Sequence, residues 1–239
     1  MKNYLLIHGS WHGAWCWYKI APRLRDAGHK VIVPDLLGRK GNAKIRHLIS
    51  LSRMAADVAR LLPDNEKTTV VVHSRYGILA STLAQMVPEK IERTIYLASF
   101  MLPTGTRVVD YFRKDKDSVL APFITVNNYG LWDYLDPEIY RNGLYHDCSE
   151  EDNMLGQTLL CREPVRPALS KLTLTDDRYG AVPRAYIRLS EDRAVSPYIQ
   201  DRCLNKTPVE RVEELKSSHS AYFSIPDQLT QKILKLSKN

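Results

Sequence analysis

The chain has 239 residues, of which 44% are hydrophobic, and a formal net charge of +7. This length and composition are typical of one globular α/β domain with a sizeable core. The chain has no run of eighteen apolar residues, which argues against a membrane span. Its four scattered cysteines form no C-x-x-C pair, which argues against a zinc site and favours a reduced, cytoplasmic protein.

Short apolar runs alternate with amphipathic stretches of helical length. The predicted strands are residues 4–8, 30–34, 69–73, 94–98, 184–189 and 209–215. The predicted helices are residues 16–27, 50–62, 75–87 and 226–236. This alternation predicts an α/β fold with a mostly parallel, doubly wound sheet and helices on both faces. The first strand begins so close to the start that we expect no removable leader.

Residues 103–183 interrupt this alternation. They contain no convincing buried strand and carry a net charge of −4, whereas the rest of the chain carries +11. A helix start is visible at Ser149, which is followed by three acidic residues. We therefore predict a mainly helical cap at 103–183, inserted over the carboxyl edge of a core formed by 1–102 and 184–239. An ordinary series of crossover helices is the alternative.

A basic cluster lies between the second and third predicted strands. It contains six basic residues and a single acidic one, Asp57. The basic residues are Arg39, Lys40, Lys44, Arg46, Arg53 and Arg60. Such a cluster can attract an anionic substrate or a nucleic acid, but a solvated helix face is the more ordinary interpretation. No nucleic-acid-binding motif accompanies it.

The segment 70–77 predicts a buried strand that runs into a sharp turn with Ser74 at its tip. This is the layout of a nucleophile elbow, whose usual form is G-x-S-x-G. Here Val72 and Tyr76 occupy the two glycine positions. Glycine is usual there because the strained turn brings the next helix close to neighbouring strands. A larger side chain must find space, and overpacking can displace a catalytic group.

Three residues with complementary chemistry each follow a predicted strand: Ser74, Asp192 and His219. A serine hydroxyl needs a base to remove its proton, and histidine suits that role because its pKa lies near neutrality. A carboxylate fixes the imidazole tautomer and stabilises the imidazolium. The alternatives are a helix-capping role for Ser74, Glu191 in place of Asp192, and a surface position for His219.

Further candidates surround this constellation. The backbone N–H groups of Ser10 and Arg75 are candidates for an oxyanion hole. The Arg75 side chain could meet an anionic substrate group at the pocket mouth or face solvent. Aromatic candidates for the substrate pocket are Trp11, Tyr76, Phe100 and Trp132.

Several segments together resemble one known family. Residues 6–15, with sequence LIHGSWHGAW, are similar to the opening of the α/β-hydrolase group that contains plant methyl-ester esterases of the salicylate-binding type, hydroxynitrile lyases and bacterial esterases. Residues 182–187 with 191–195 resemble the acid-bearing segment of that group, 219–223 its histidine segment, and 147–152 its bacterial branch. The resemblance implies an α/β-hydrolase fold, the order Ser–Asp–His of a catalytic triad, and a small-ester hydrolase with no cofactor.

The chain also departs from this group. Its elbow reads V-H-S-R-Y-G where the family usually has G-H-S-x-G-G. Ser218 stands where relatives often have aspartate. Gly9 and Ser220 stand where the lyases carry a hydroxyl residue and a lysine, which argues against cyanohydrin cleavage.

The leading hypothesis is a cofactor-free carboxylic-ester hydrolase that acts on a small to medium aromatic or apolar ester. The alternatives are a lyase or cyclase that acts on a natural-product intermediate, and a catalytically weak ligand-binding homologue. The expected partner is a small-molecule substrate rather than a nucleic acid or a membrane, and a homodimer is left open. No metal site is expected.

Overall fold

The structure is a computed structural model that describes residues 1–39 and 49–238. The strands are β1 (Asn3–Ile7), β2 (Lys30–Ile32), β3 (Thr68–His73), β4 (Ile91–Leu97), β5 (Ile124–Val126), β6 (Trp132–Leu135), β7 (Glu163–Pro164), β8 (Arg184–Leu189) and β9 (Arg211–Leu215). The α-helices are α1 (Ile20–Asp26), α2 (Leu51–Ala59), α3 (Gly77–Met86), α4 (Val108–Phe112), α5 (Glu150–Leu159), α6 (Arg166–Leu169), α7 (Pro197–Lys206), α8 (Ala221–Ser224) and α9 (Pro226–Leu236).

The main sheet confirms the predicted architecture. Its six strands pair in the order β2–β1–β3–β4–β8–β9, and every pairing is parallel. The strand 184–189 and the helix 226–236 have the predicted bounds, whereas β4 begins three residues before the predicted start at 94. Helix α7 was not predicted.

The core lies on both faces of the sheet because side chains alternate along each strand. Leu5 and Val70 belong to the hydrophobic cluster that contains the buried apolar side chains of α2 and α3. Leu6 and Val71 belong to a second cluster, which contains the buried apolar side chains of α1 and α9. The carboxyl ends of the parallel strands are thereby brought to one edge, where sites form in sheets of this kind.

The segment between β4 and β8 contains short helices and a small antiparallel sheet of order β5–β6–β7. The helix start at Ser149 is confirmed, because its side chain accepts a hydrogen bond from the N–H of Asp152 at 3.2 Å. The antiparallel strands were not predicted. We use "cap" for residues 103–183, and the division of the chain at those bounds stays a prediction.

None of the helices within residues 1–39 and 49–238 has the length and apolar character needed to cross a membrane. Of the basic cluster, Lys40, Lys44 and Arg46 lie outside the described residues. Arg60 is exposed on its side chain and lies 3.9 Å from Asp57, as expected for a solvated helix face.

Candidate active site

The turn after β3 presents Ser74 in a strained backbone conformation. Its φ angle is +58°, a left-handed value that residues other than glycine seldom adopt. A short 3₁₀ turn, Ser74–Tyr76, then leads into α3. The Ser74 carbonyl accepts hydrogen bonds from the N–H of Phe100 at 3.1 Å and from the hydroxyl of Ser99 at 2.6 Å. The loop after β4 therefore fixes the backbone of the elbow.

Asp192 and His219, which follow β8 and β9, form a buried pair. His219 Nδ1 lies 2.7 Å from Asp192 Oδ2. Asp192 Oδ1 accepts the N–H groups of Ala194 at 2.7 Å and Val195 at 2.9 Å. Both carboxylate oxygens are thus held, and because a carboxylate can only accept, Nδ1 carries the hydrogen and Nε2 is left as the basic nitrogen. The rival Glu191 lies near Lys216 instead, at 3.5 Å.

His73 connects this pair to the elbow. Its Nε2 donates to the carbonyl of His219 at 3.0 Å, and the two imidazole rings lie 4.3 Å apart. The backbone of His219 is therefore tied to the residue that directly precedes Ser74. The described hydrogen bonds include none between the side chains of Ser74 and His219. In enzymes such contacts often tighten only when substrate binds.

The loop after β1 approaches the elbow closely. A Cβ added to Gly9 would lie 3.0 Å from Ser74 Cβ and 2.8 Å from His73 Nδ1, so only glycine fits without displacing them. His8 Nδ1 donates to the Gly9 carbonyl at 2.8 Å, and its Nε2 accepts the N–H of Leu36. Since the C=O and N–H of a trans peptide point in opposite directions, this bond also sets the direction of the Ser10 N–H.

The two replaced glycine positions are accommodated differently. Val72 lies within β3, fully buried in the sheet core between its pairing partners on β1 and β4. Tyr76 is also fully buried, and its hydroxyl donates to Glu163 on β7. The close approach that demands glycine occurs one residue later, because a Cβ on Gly77 would lie 2.6 Å from the carbonyl oxygen of Phe100.

The Glu163 carboxylate accepts hydrogen bonds from several segments of the core. Its Oε2 accepts the backbone N–H of Trp11 at 2.7 Å and the guanidinium of Arg39, while its Oε1 accepts the Tyr76 hydroxyl. Arg39 is 5% exposed, so its interpretation as part of a solvated face was wrong. Burial opposes the charge of Arg39, but Glu163, together with Tyr76 and Cys161, raises the pKa of the guanidinium.

The Arg75 side chain is mostly buried and is paired with a carboxylate of the cap. It donates to Asp133 on β6 at 2.9 Å, and its guanidinium lies 5.2 Å from the centre of the Trp11 ring. The Trp11 indole N–H donates to the same carboxylate at 2.7 Å. Burial raises the pKa of Asp133, and Arg75 acts in the opposite direction.

A cavity of about 370 Å³ opens beside Ser74. The polar residues Ser10, Arg75, Arg113 and Asp133 also line it, but most of its lining side chains are apolar. Of the aromatic pocket candidates, Trp11 and Phe100 line this cavity, whereas Tyr76 and Trp132 do not. The remaining apolar lining residues are Val108, Val109, Phe112, Leu120, Ile124, Val126, Val165, Ala168, Leu169, Ala194 and Val195.

Tyr76 and Trp132 are engaged elsewhere. The hydroxyl of Tyr76 bonds to Glu163, and the ring of Trp132 lies 5.4 Å from the guanidinium of Arg162. Sequence reasoning missed Asp133 and Glu163, because their burial depends on chain segments more than a hundred residues away. The available signal was the excess of acids in 103–183 facing a basic core.

A family model described as "Alpha/beta hydrolase family" matches residues 4–231. The chain belongs to this family. It is 32% identical to putative methylesterase 11, chloroplastic, of Arabidopsis thaliana, and this match covers 99% of the chain and 64% of that protein. It is 33% identical to methylesterase 9 of Arabidopsis thaliana, over 99% of the chain and 98% of that protein. The family membership confirms both the resemblance and the fold class.

Solved structures give the same result. Polyneuridine aldehyde esterase superposes with a TM-score of 0.87 at 25% identity, with all of both chains covered. A variant of tomato methylketone synthase I, complexed with beta-ketoheptanoate, superposes with a TM-score of 0.88 at 26% identity over 99% of this chain and 97% of that one. The protein is thus an enzyme of the α/β-hydrolase fold, and its relatives support ester hydrolysis.

Proposed function

We propose that this enzyme is a cofactor-free serine carboxylesterase with Ser74, His219 and Asp192 as its catalytic triad. The observation that carries the proposal is the buried His219–Asp192 hydrogen bond of 2.7 Å, joined through His73 to a strained elbow that presents Ser74. Residues that follow three different strands converge there, which is the arrangement that activates a serine nucleophile.

The mechanism follows from the roles of these groups. His219 Nε2 takes the proton of the Ser74 hydroxyl while Oγ attacks the ester carbonyl carbon. The N–H groups of Ser10 and Arg75 stabilise the oxyanion, and the Arg75 N–H lies in the first turn of a helix, where leading N–H groups lack intrahelical partners. His219 then protonates the leaving alcohol, activates a water, and returns the proton to Ser74 after the acyl group departs. Asp192 holds the imidazole in the required tautomer.

The cavity supports the proposed substrate class. A volume of about 370 Å³ with mainly apolar walls fits an ester with a small to medium aromatic or apolar body. Asp133 already neutralises Arg75, so the Arg75 guanidinium gives no strong attraction to a carboxylate. Methylesterases among the relatives are consistent with this substrate class. A cytoplasmic location and a homodimer stay predictions.

Covalent labelling tests the triad directly. We expect a fluorophosphonate to add one mass increment to the wild-type protein and none to a folded Ser74→Ala variant, which should also lose turnover of aryl and alkyl esters. Full ester turnover by Ser74→Ala would refute the assignment of Ser74 as the nucleophile. A folded wild-type protein with neither adduct nor turnover would support a ligand-binding role.

A second candidate is a non-hydrolytic reaction at the same site, favoured by the structural similarity to methylketone synthase I. In that reaction His219 transfers protons and Ser74 forms no acyl intermediate. His219→Ala would then abolish conversion while Ser74→Ala retained it. An acyl adduct on Ser74, trapped during turnover, would exclude this candidate.

A further inference from the structure

One buried carboxylate contacts both backbone segments that meet at Ser74. Glu163 is fully buried on β7 of the cap. Its Oε2 holds the backbone N–H of Trp11 at 2.7 Å, and its Oε1 holds the hydroxyl of Tyr76. Trp11 belongs to the loop after β1, and Tyr76 belongs to the elbow after β3. Glu163 therefore spans the two segments and fixes their separation.

These contacts lie next to the proposed oxyanion donors. Trp11 directly follows Ser10, and Tyr76 directly follows Arg75. The backbone is also strained there, since φ is +61° at Trp11 and +58° at Ser74. Residues other than glycine keep such angles only where the surrounding structure holds them. The Glu163 carboxylate contributes to that restraint for Trp11 through its N–H and for the elbow through the Tyr76 side chain, beside the bonds that hold the carbonyls of Trp11 and Ser74.

We propose that Glu163 is a positioning residue that sets the spacing of the Ser10 and Arg75 N–H groups around the reacting carbonyl. This role rests on the proposed esterase function. Tyr76, which replaces a family glycine, gives the elbow the hydroxyl by which Glu163 holds it. Arg39 neutralises the carboxylate, so that the charge can remain buried.

A purely structural role would predict a different outcome. If Glu163 only secured the cap to the core, its loss would lower stability without changing the reactivity of the folded site. Asp152 offers a matched control. This cap carboxylate is 2% exposed and accepts the core groups Lys19 Nζ at 2.7 Å and Tyr18 hydroxyl at 2.9 Å. It contacts neither Trp11 nor the elbow in the described structure.

The experiment compares wild type with Glu163→Gln, Tyr76→Phe and Asp152→Asn. The readouts are the rate constant of Ser74 phosphonylation by a fluorophosphonate, kcat and KM for an aryl ester, and the melting temperature. Since displacement of catalytic groups by about 1 Å can cost on the order of a hundredfold, we expect Glu163→Gln to lower kcat and phosphonylation at least about tenfold. KM should change by less than about threefold, because uniform binding is untouched.

Tyr76→Phe should reduce phosphonylation by a smaller factor in the same direction. The effects of Glu163→Gln and Tyr76→Phe should be non-additive in the double variant, because both changes act on the same hydrogen bond. Asp152→Asn should lower the melting temperature and leave the phosphonylation rate of the folded protein unchanged.

The outcomes separate this inference from the proposed function. Wild-type protein that resists phosphonylation would overturn the esterase proposal itself. Wild-type protein that reacts, beside folded Glu163→Gln that reacts at the same rate, would overturn the positioning role alone. If Glu163→Gln does not fold, Tyr76→Phe tests the positioning role instead, because it deletes only a single hydroxyl. A wild-type phosphonylation rate in Tyr76→Phe would then overturn that role.

Discussion

Three buried histidines make the folded state sensitive to mild acid. His8, His12 and His73 are each no more than 1% exposed. Burial, the largest cause for each, lowers the pKa of His8 and His12 to about 3 and the pKa of His73 well below its ordinary value. The hydrogen bonds of His8 are consistent with its lowered pKa. Its Nε2 accepts a backbone N–H, and protonation of Nε2 would break that hydrogen bond.

The sign and size of the effect follow from proton linkage. A lowered pKa keeps each imidazole neutral in the folded protein, while the unfolded chain takes up protons below about pH 6.5. Stability is therefore complete above that pH and falls as the pH drops towards 3. Each histidine contributes about 1.4 kcal/mol per pH unit, so three histidines cost about 4 kcal/mol at pH 5.5 relative to pH 8. The raised pKa of Asp133 acts in the opposite direction and subtracts from this loss.

Urea unfolding, followed by circular dichroism between pH 8 and 5.5, measures this loss. We expect the free energy of unfolding to fall by about 3–4 kcal/mol per pH unit between pH 6 and 5.5. This slope means that the unfolded chain binds roughly two to three more protons than the folded protein. In His8→Asn, whose amide can still donate to the Gly9 carbonyl, the slope should fall by about one proton. A wild-type slope below about one proton would refute the reasoning.

Other substitutions test other parts of the site. Gly77→Ala should lower the free energy of unfolding by about 1–3 kcal/mol in urea, because its Cβ would lie 2.6 Å from the Phe100 carbonyl oxygen; unchanged stability would contradict this close approach. Asp192→Asn should lower kcat on the order of a thousandfold or more through loss of the correct imidazole tautomer, and near-normal ester turnover would argue against the triad. Asp133→Asn leaves Arg75 unpaired in the cavity wall, so inhibition constants for carboxylate products should fall by about tenfold at low salt; equal constants for both proteins would show that Arg75 does not face the bound product.

The sequence predicted the sheet because each central strand contains a short apolar run, such as Val70–Val72 in β3 and Ile95–Leu97 in β4, and such runs are typical of a buried parallel strand. Ser74, Asp192 and His219 were predicted as site residues for a related reason, since each follows a predicted strand in the order of the family. Helix α7 was missed although Ser196 and Pro197 form an ordinary helix start. The strands of the cap are two to four residues long, too short to carry a periodic signal.

The role of Glu163 could not be predicted from its neighbours. It lies between Arg162 and Pro164, a polar setting that is typical of an exposed loop, yet it is fully buried. Its burial depends on Trp11, which is 152 positions away in the chain. Sequence patterns report local periodicity, whereas the partner of a buried charge is set by which distant segments meet. The opposite net charges of the cap and the remaining chain were the one available signal for such pairs, and no pairing was predicted from them.

Two side chains of the elbow are matched by acids of the cap. Arg75, at the variable position of the elbow, pairs with Asp133, and Tyr76, which replaces a family glycine, bonds to Glu163, so both have a buried partner on the small antiparallel sheet. Restoring the family residue by Tyr76→Gly should therefore impair the enzyme. The change removes a donor from Glu163 and leaves a cavity in the core, which costs about 3–5 kcal/mol for a large aromatic side chain. Urea unfolding and ester turnover would measure both effects, and a variant that was more active and equally stable would show that the elbow and the cap are independent.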